Sequence, residues 1–128
     1  MRKRHSILIG QRRGIILLPD ENMSVVLNPM ERTLYRLFLS HPEGIAADNL
    51  LAYWQELCRL YEQESRSDDP PLRANALESL CSESKRVFYA NISRIKRKFV
   101  DTLGARRAKP YIIARDRNGP YRTKAMLV

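Results

Sequence analysis

The chain has 128 residues, with 23 Lys plus Arg against 14 Asp plus Glu, a formal charge of +9. This length suits one domain, and 44% apolar with 29% charged residues suits one buried core rather than a disordered tail. No apolar run approaches the ~18–20 residues of a membrane span. No signal-like stretch follows the basic start, and Cys58 and Cys81 fit neither metal spacing nor a disulfide framework. A large multidomain enzyme and a secreted mini-protein are thereby excluded, and a reduced, cytoplasmic protein is expected.

In chain order, Ser6–Gly10, Gly14–Pro19 and Ser24–Leu27 are short apolar runs of strand length, separated by the turns Gln11–Gly14 and Asp20–Met23. They predict a small antiparallel sheet over 6–27. Asn28-Pro29-Met30-Glu31 supplies an N-cap, a Pro at N1 and a Glu at N3. Met30, Leu34, Leu37 and Phe38 then recur on one helical face until His41-Pro42 and Gly44 end the helix. A second helix is expected from about Asp48 to Gln63, with Leu50, Leu51, Trp54, Leu57, Cys58 and Tyr61 as its apolar stripe. Ser65–Pro71 reads as a loop, and Leu72–Cys81 as a short extra helix. A third long helix is expected over 84–103, stopped by Gly104. Tyr111–Arg115 and Tyr121–Ala125 are then strands around the hairpin turn Arg117-Asn-Gly-Pro120.

The charge is unevenly spread. Residues 1–18 carry five cations (Arg2, Lys3, Arg4, Arg12, Arg13) and no acid, residues 19–81 are net −6, and residues 82–128 are net +10. The C-terminal third therefore suits an anionic partner. On a helical wheel Phe88, Ile92, Ile95 and Phe99 fall within about 60° of one another and form a core face. The opposite face carries Arg86, Ala90, Ser93 and Arg97, with Tyr89 and Arg94 on its flanks. Cations, small residues and one aromatic are what a helix needs in a major groove. An amphipathic helix with a solvated basic face fits the same residues. The hairpin adds Arg115, Arg117, Asn118 and Arg122, with Lys124 following, a cationic turn suited to a phosphate ridge or narrow minor groove. Together these predict an α+β fold, a winged helix-turn-helix of three main helices and a C-terminal β-hairpin wing. Residues 1–128 form one domain, with the sheet at 6–27, a helical core at 28–103 and the wing at 110–125.

Leu27–Leu39, with its cap, Pro and Glu before paired leucines, Asp48–Trp54, with paired Leu and then Trp, and Asn91–Phe99, with Ile, Arg and Lys recurring, lie in a telling order. With Tyr111–Arg115 and Gly119–Arg122 behind them, the chain resembles the DNA-binding effector domain of OmpR/PhoB-type response regulators. The resemblance implies a base contact for Arg94, a phosphate contact for Asn91 and a minor-groove contact for Arg122. It places Arg86, Ala90 and Ser93 in the same DNA-facing helix. Dimeric binding to two half-sites is compatible with this class. Three features depart from the family: the chain has no receiver domain, Pro120 stands where the wing often has Gly, and residues 62–82 are longer than the family's loop. In the family that loop can touch RNA polymerase, so RNA polymerase or another protein is a partner for 62–82, a plain insertion being the other reading.

Catalytic signals are thin. His5 and His41 lack partners at ligand spacing, Cys58 lies on an apolar stripe, and Glu62, Glu64, Asp68 and Asp69 read as a solvated acidic loop. There is no phosphate-binding Gly-rich loop and no Gly-x-Ser-x-Gly. Among the tyrosines, Tyr89 and Tyr121 are the ones placed to stack or bond at a DNA face. The sequence thus predicts a non-enzymatic, cofactor-free binder of double-stranded DNA that regulates transcription. The alternatives are a protein–protein adaptor on the same fold and, with few exposed aromatics, an RNA binder.

Overall fold

The three apolar runs do form strands, with turn residues between them. The computed structural model describes residues 5–12, 14–65 and 68–128. Arg2, Lys3, Arg4 and Arg13 of the basic N-terminal segment lie outside the described residues. Strands β1 (Ser6–Ile9), β2 (Ile15–Leu18) and β3 (Met23–Val26) precede helices α1 (Pro29–Ser40), α2 (Trp54–Glu64), α3 (Pro70–Leu80), α4 (Arg86–Leu103) and the one-turn α5 (Ala105–Ala108). Strands β4 (Ala114–Arg115), β5 (Tyr121–Arg122) and β6 (Met126–Leu127) close the chain. The fold is α+β, with a small mixed sheet and a C-terminal hairpin.

β1, β2 and β3 pair antiparallel as expected, Ile9 opposite Ile16 and Ile16 opposite Val25. Alternation turns Ile7, Ile16, Leu18 and Val25 inward. The sheet is not purely antiparallel: β6 pairs in parallel with β1, Ser6 opposite Met126, giving the order β3-β2-β1-β6. A two-residue strand has no periodicity to read, and its partner lies at the other end of the chain.

α1 begins as its sequence dictates. Asn28 accepts from Glu31 N, and Glu31 accepts from Asn28 N, a complete capping box behind a Pro at the first turn. The expected second helix is in two parts: a 3₁₀ segment, Ala47–Tyr53, leads into α2. No side chain caps the start at Ala46, and the tighter winding leaves Leu51, expected in the stripe, exposed while Leu50 is buried. The expected loop up to Pro71 is shorter. Asp69 caps α3 by accepting from Leu72 N, and both prolines sit in its first turn, where their missing N–H groups cost nothing. The short extra helix expected over Leu72–Cys81 is thus α3, which starts two residues earlier and is as long as α2.

The hairpin is also shorter than expected. Tyr111 and Ile113 are buried core residues, not ladder residues. The Tyr111 carbonyl accepts from Tyr35 Oη at 2.7 Å and Thr123 Oγ1 at 3.0 Å, so side chains satisfy it in place of a strand. Its turn uses one left-handed residue, Asn118 at φ 58°, and not Gly119.

A buried ion network locks the sheet to the helices. Arg32 donates to Gly10 O at 2.8 Å and Arg12 O at 2.9 Å, while its Nε lies 3.2 Å from Glu64, which Arg36 also meets at 2.8 Å. Phe88, Ile95 and Phe99 of α4 share one core with Leu34, Tyr35 and Phe38 of α1. The inner face of α4 is fixed by that core, which determines what its other face presents.

Candidate nucleic-acid interface

α4 starts without a side-chain cap. Its N-cap residue, Lys85, is left-handed at φ 58°, and Lys85 Nζ lies 2.6 Å from Asp48 Oδ1. The hydrogen bond between them holds the Asp48 carboxyl below its ordinary range and the Lys85 ammonium above it. The pair fastens the start of α4 to the segment before α2. From there the apolar residues set the rotation: Phe88, Ile95, Phe99 and Leu103 are buried, and Ile92 is half-buried. Arg86, Tyr89, Ser93 and Arg97 are consequently exposed, with Ala90 half-buried among them. Arg86 and Arg97 make no ion pair among the described residues.

Two expected site residues are held by contacts within the protein. Asn91, the expected phosphate contact, is only 1% exposed and points into the core. It lies three residues after Phe88 and four before Ile95, on their side of the helix. Its Nδ2 donates to Val87 O at 2.8 Å, and its Oδ1 is buried without a partner. Arg94, the expected base contact, is half-exposed, yet its Nε lies 3.2 Å from Glu31 Oε2. Lys98, one turn on, pairs with Glu31 Oε1. Glu31 is fully buried and anchors the middle of α4 to the first turn of α1.

The hairpin is held against the N-terminal half of α4. Ile45 N donates to Tyr121 O at 2.8 Å and Tyr121 N to Ile45 O at 3.0 Å, giving the two-stranded hairpin a third strand position. The Tyr121 ring packs edge-on against Phe88 at 5.3 Å and lies 6.4 Å from Tyr89. Around this aromatic joint, Arg115, Arg117, Asn118 and Arg122 are exposed at the hairpin. Arg122 Nε meets Asp116 Oδ2 at 2.7 Å, and Arg115 Nε donates to Gly119 O at 3.3 Å. Arg117 makes neither kind of contact among the described residues. Tyr121 therefore joins the cationic hairpin to the N-terminal half of α4, beside Tyr89 of its outward face.

No family model matches this chain, and no match is found among curated proteins or solved structures.

Elsewhere the described residues hold no group of three or more His, Cys, Asp or Glu placed to bind a metal ion, and no helix long and apolar enough to cross a membrane. The residues that position the surface were not singled out by sequence: Asp48, Lys85, Lys98 and Ile45, and Glu31 beyond its cap. Glu31 had a visible local role at N3. Its second role depends on Arg94 and Lys98, which are 63 and 67 residues away and leave no local signal.

Proposed function

We propose that the chain is a winged-helix protein that binds double-stranded DNA sequence-specifically and regulates transcription in the cytoplasm. α4 enters the major groove through Arg86, Tyr89, Ala90, Ser93 and Arg97. The hairpin lies on the adjacent backbone or in the minor groove through Arg115, Arg117, Asn118 and Arg122. The observation that carries this reading is the Tyr121 joint. It packs a cationic hairpin onto Phe88 of a helix whose exposed face is cationic and small, so helix and hairpin meet one duplex together. The resemblance in sequence to OmpR/PhoB-type effector domains supports a DNA-facing place for Arg86, Ala90, Ser93 and Arg122, and two copies on two half-sites fit that class.

Fluorescence anisotropy on duplexes selected from a random pool tests the proposal. Binding is expected to fall steeply with salt, with a log–log slope of about −0.9 per phosphate contacted. A flat salt response or no selected sequence would overturn it. A protein-binding adaptor is the second reading. It is favoured by the outer sheet face, where Leu8, Val26 and Met126 are exposed and no strand residue is charged. Within the DNA-binding proposal, α3 and the rest of 62–82 would be left for RNA polymerase or another protein.

A further inference from the structure

A cavity of about 380 Å³ opens between β3, the start of α1, the end of α2 and the middle of α4. Val26, Leu27 and Pro29 give it an apolar wall, and Asn28, Lys98 and Glu64 its polar groups. Lys98 Nζ and Asn28 N both meet the same oxygen of Glu31, so Lys98 and Asn28 stand side by side. Asn28 Oδ1 is occupied by Glu31 N, which leaves the amide's Nδ2 to act as a donor in the cavity lining. Glu64 is held by Arg32 and Arg36 and forms no ion pair with Lys98, so the two charged walls are apart. Among the described residues, four cations, Arg32, Arg36, Arg94 and Lys98, pair with two carboxylates, Glu31 and Glu64. The excess positive charge favours an anion over a cation or a zwitterion.

We infer that this cavity binds a small monocarboxylate with a short apolar body. Its carboxylate accepts from Lys98 Nζ and Asn28 Nδ2, and its chain lies on Val26, Leu27 and Pro29. The Lys98 ammonium and the Asn28 amide lie on one side of the cavity, which fixes the orientation, while Glu64 on the other side is already paired with Arg32 and Arg36. The bound anion competes with Glu31 for Lys98 and so loosens one of the two ties between Glu31 and α4. This site does not depend on the DNA-binding reading.

Sodium hexanoate is the probe, followed by amide NMR of the full chain, with hexanamide and hexylamine as matched neutral and cationic controls. Saturable shifts are expected for hexanoate at Gly14, Val26, Asn28 and Lys98, and much weaker ones for both controls. Lys98→Met is expected to weaken binding about tenfold, the effect of losing one charge-assisted hydrogen bond. Val26 is 63% exposed, so Val26→Asp keeps the fold while placing a like charge at the cavity, and is expected to abolish the shifts. Equal shifts with hexanoate and hexanamide, full binding by either variant, or no saturable shifts at these residues would overturn the inference.

Discussion

Glu31 Oε2 lies 3.2 Å from Arg94 Nε, and the same fully buried carboxylate accepts from the backbone N of Asn28 at 2.9 Å. One side chain therefore closes the first turn of α1 and fixes the middle of α4. A buried carboxylate without donors would be strongly unfavourable, and these contacts compensate it. The Arg94 and Lys98 heads reach water, so they rehydrate readily when Glu31 is lost; the cap and the α1–α4 tie do not. Glu31→Ala is expected to cost about 2–3 kcal/mol. A lower urea midpoint at unchanged m-value checks this.

Arg94 and Arg97 separate structure from binding. Arg97 makes no ion pair among the described residues and lies at the centre of the outward face, whereas Arg94 contributes to holding α4. Under the proposed function, Arg97→Ala weakens the selected duplex by about 1–3 kcal/mol if it reads a base, and leaves the thermal midpoint unchanged. Arg94→Ala is expected to lower the midpoint as well as the affinity. Anisotropy and thermal melts on the same preparations distinguish the two. If both variants bind and melt alike, the division of roles is wrong.

The parts of the molecule legible in the sequence are those governed by near neighbours. Asn28, Pro29 and Glu31 announced the cap of α1, and the spacing of Phe88, Ile95 and Phe99 announced the rotation of α4. What was not legible depends on distant partners. The resemblance implies a phosphate contact for Asn91, but the core takes that side chain in. Tyr111 was assigned to a strand, but Tyr35 and Thr123 draw its carbonyl inward. Asp69-Pro70-Pro71 looked like a break because prolines interrupt helices, whereas in a capped first turn they start one.

The hairpin tip carries the simplest electrostatic test. Arg122 is occupied by Asp116, whereas Arg117 has no such partner among the described residues. Arg117→Ala is expected to weaken binding on every duplex sequence alike and to reduce the salt slope by about one phosphate contact. Deletion of Arg117 to Gly119 is expected to weaken binding further in the same sequence-independent way. Unchanged affinity after the deletion would remove the hairpin from the mechanism.

Gly44 controls how the hairpin is seated. Its φ is +95°, and a Cβ there would lie 2.8 Å from Tyr121 O, the atom that accepts from Ile45 N. Neither the backbone conformation nor the space admits a side chain. Gly44→Ala is expected to cost about 1–3 kcal/mol and to part Ile45 from Tyr121. Faster hydrogen exchange at the Tyr121 amide, with the α1 amides still protected, checks that the damage is local. Under the proposed function the variant also binds duplex more weakly, although every cation remains in place.

His41 predicts a pH dependence of stability. At the end of α1, its Nδ1 lies 3.2 Å from Glu43 and its Nε2 3.0 Å from Glu56 of α2, with the Tyr53 ring 4.7 Å away. Burial of the ring opposes protonation, but the hydrogen bonds and charges of Glu56 and Glu43 outweigh it, so the pKa lies above the ordinary 6.5. A histidine with a raised folded-state pKa adds its stability below the unfolded pKa and loses it as pH rises through the folded one. The clamp between α1 and α2 is therefore complete in mildly acidic solution and weakens toward alkaline pH. Urea unfolding of the wild type and of His41→Gln, compared from about pH 5 to about pH 9, checks the sign. The difference between them is expected to be largest at the acidic end and to shrink as pH rises. A gap that widens with pH would mean that the neutral ring, and not the imidazolium, holds the two helices together.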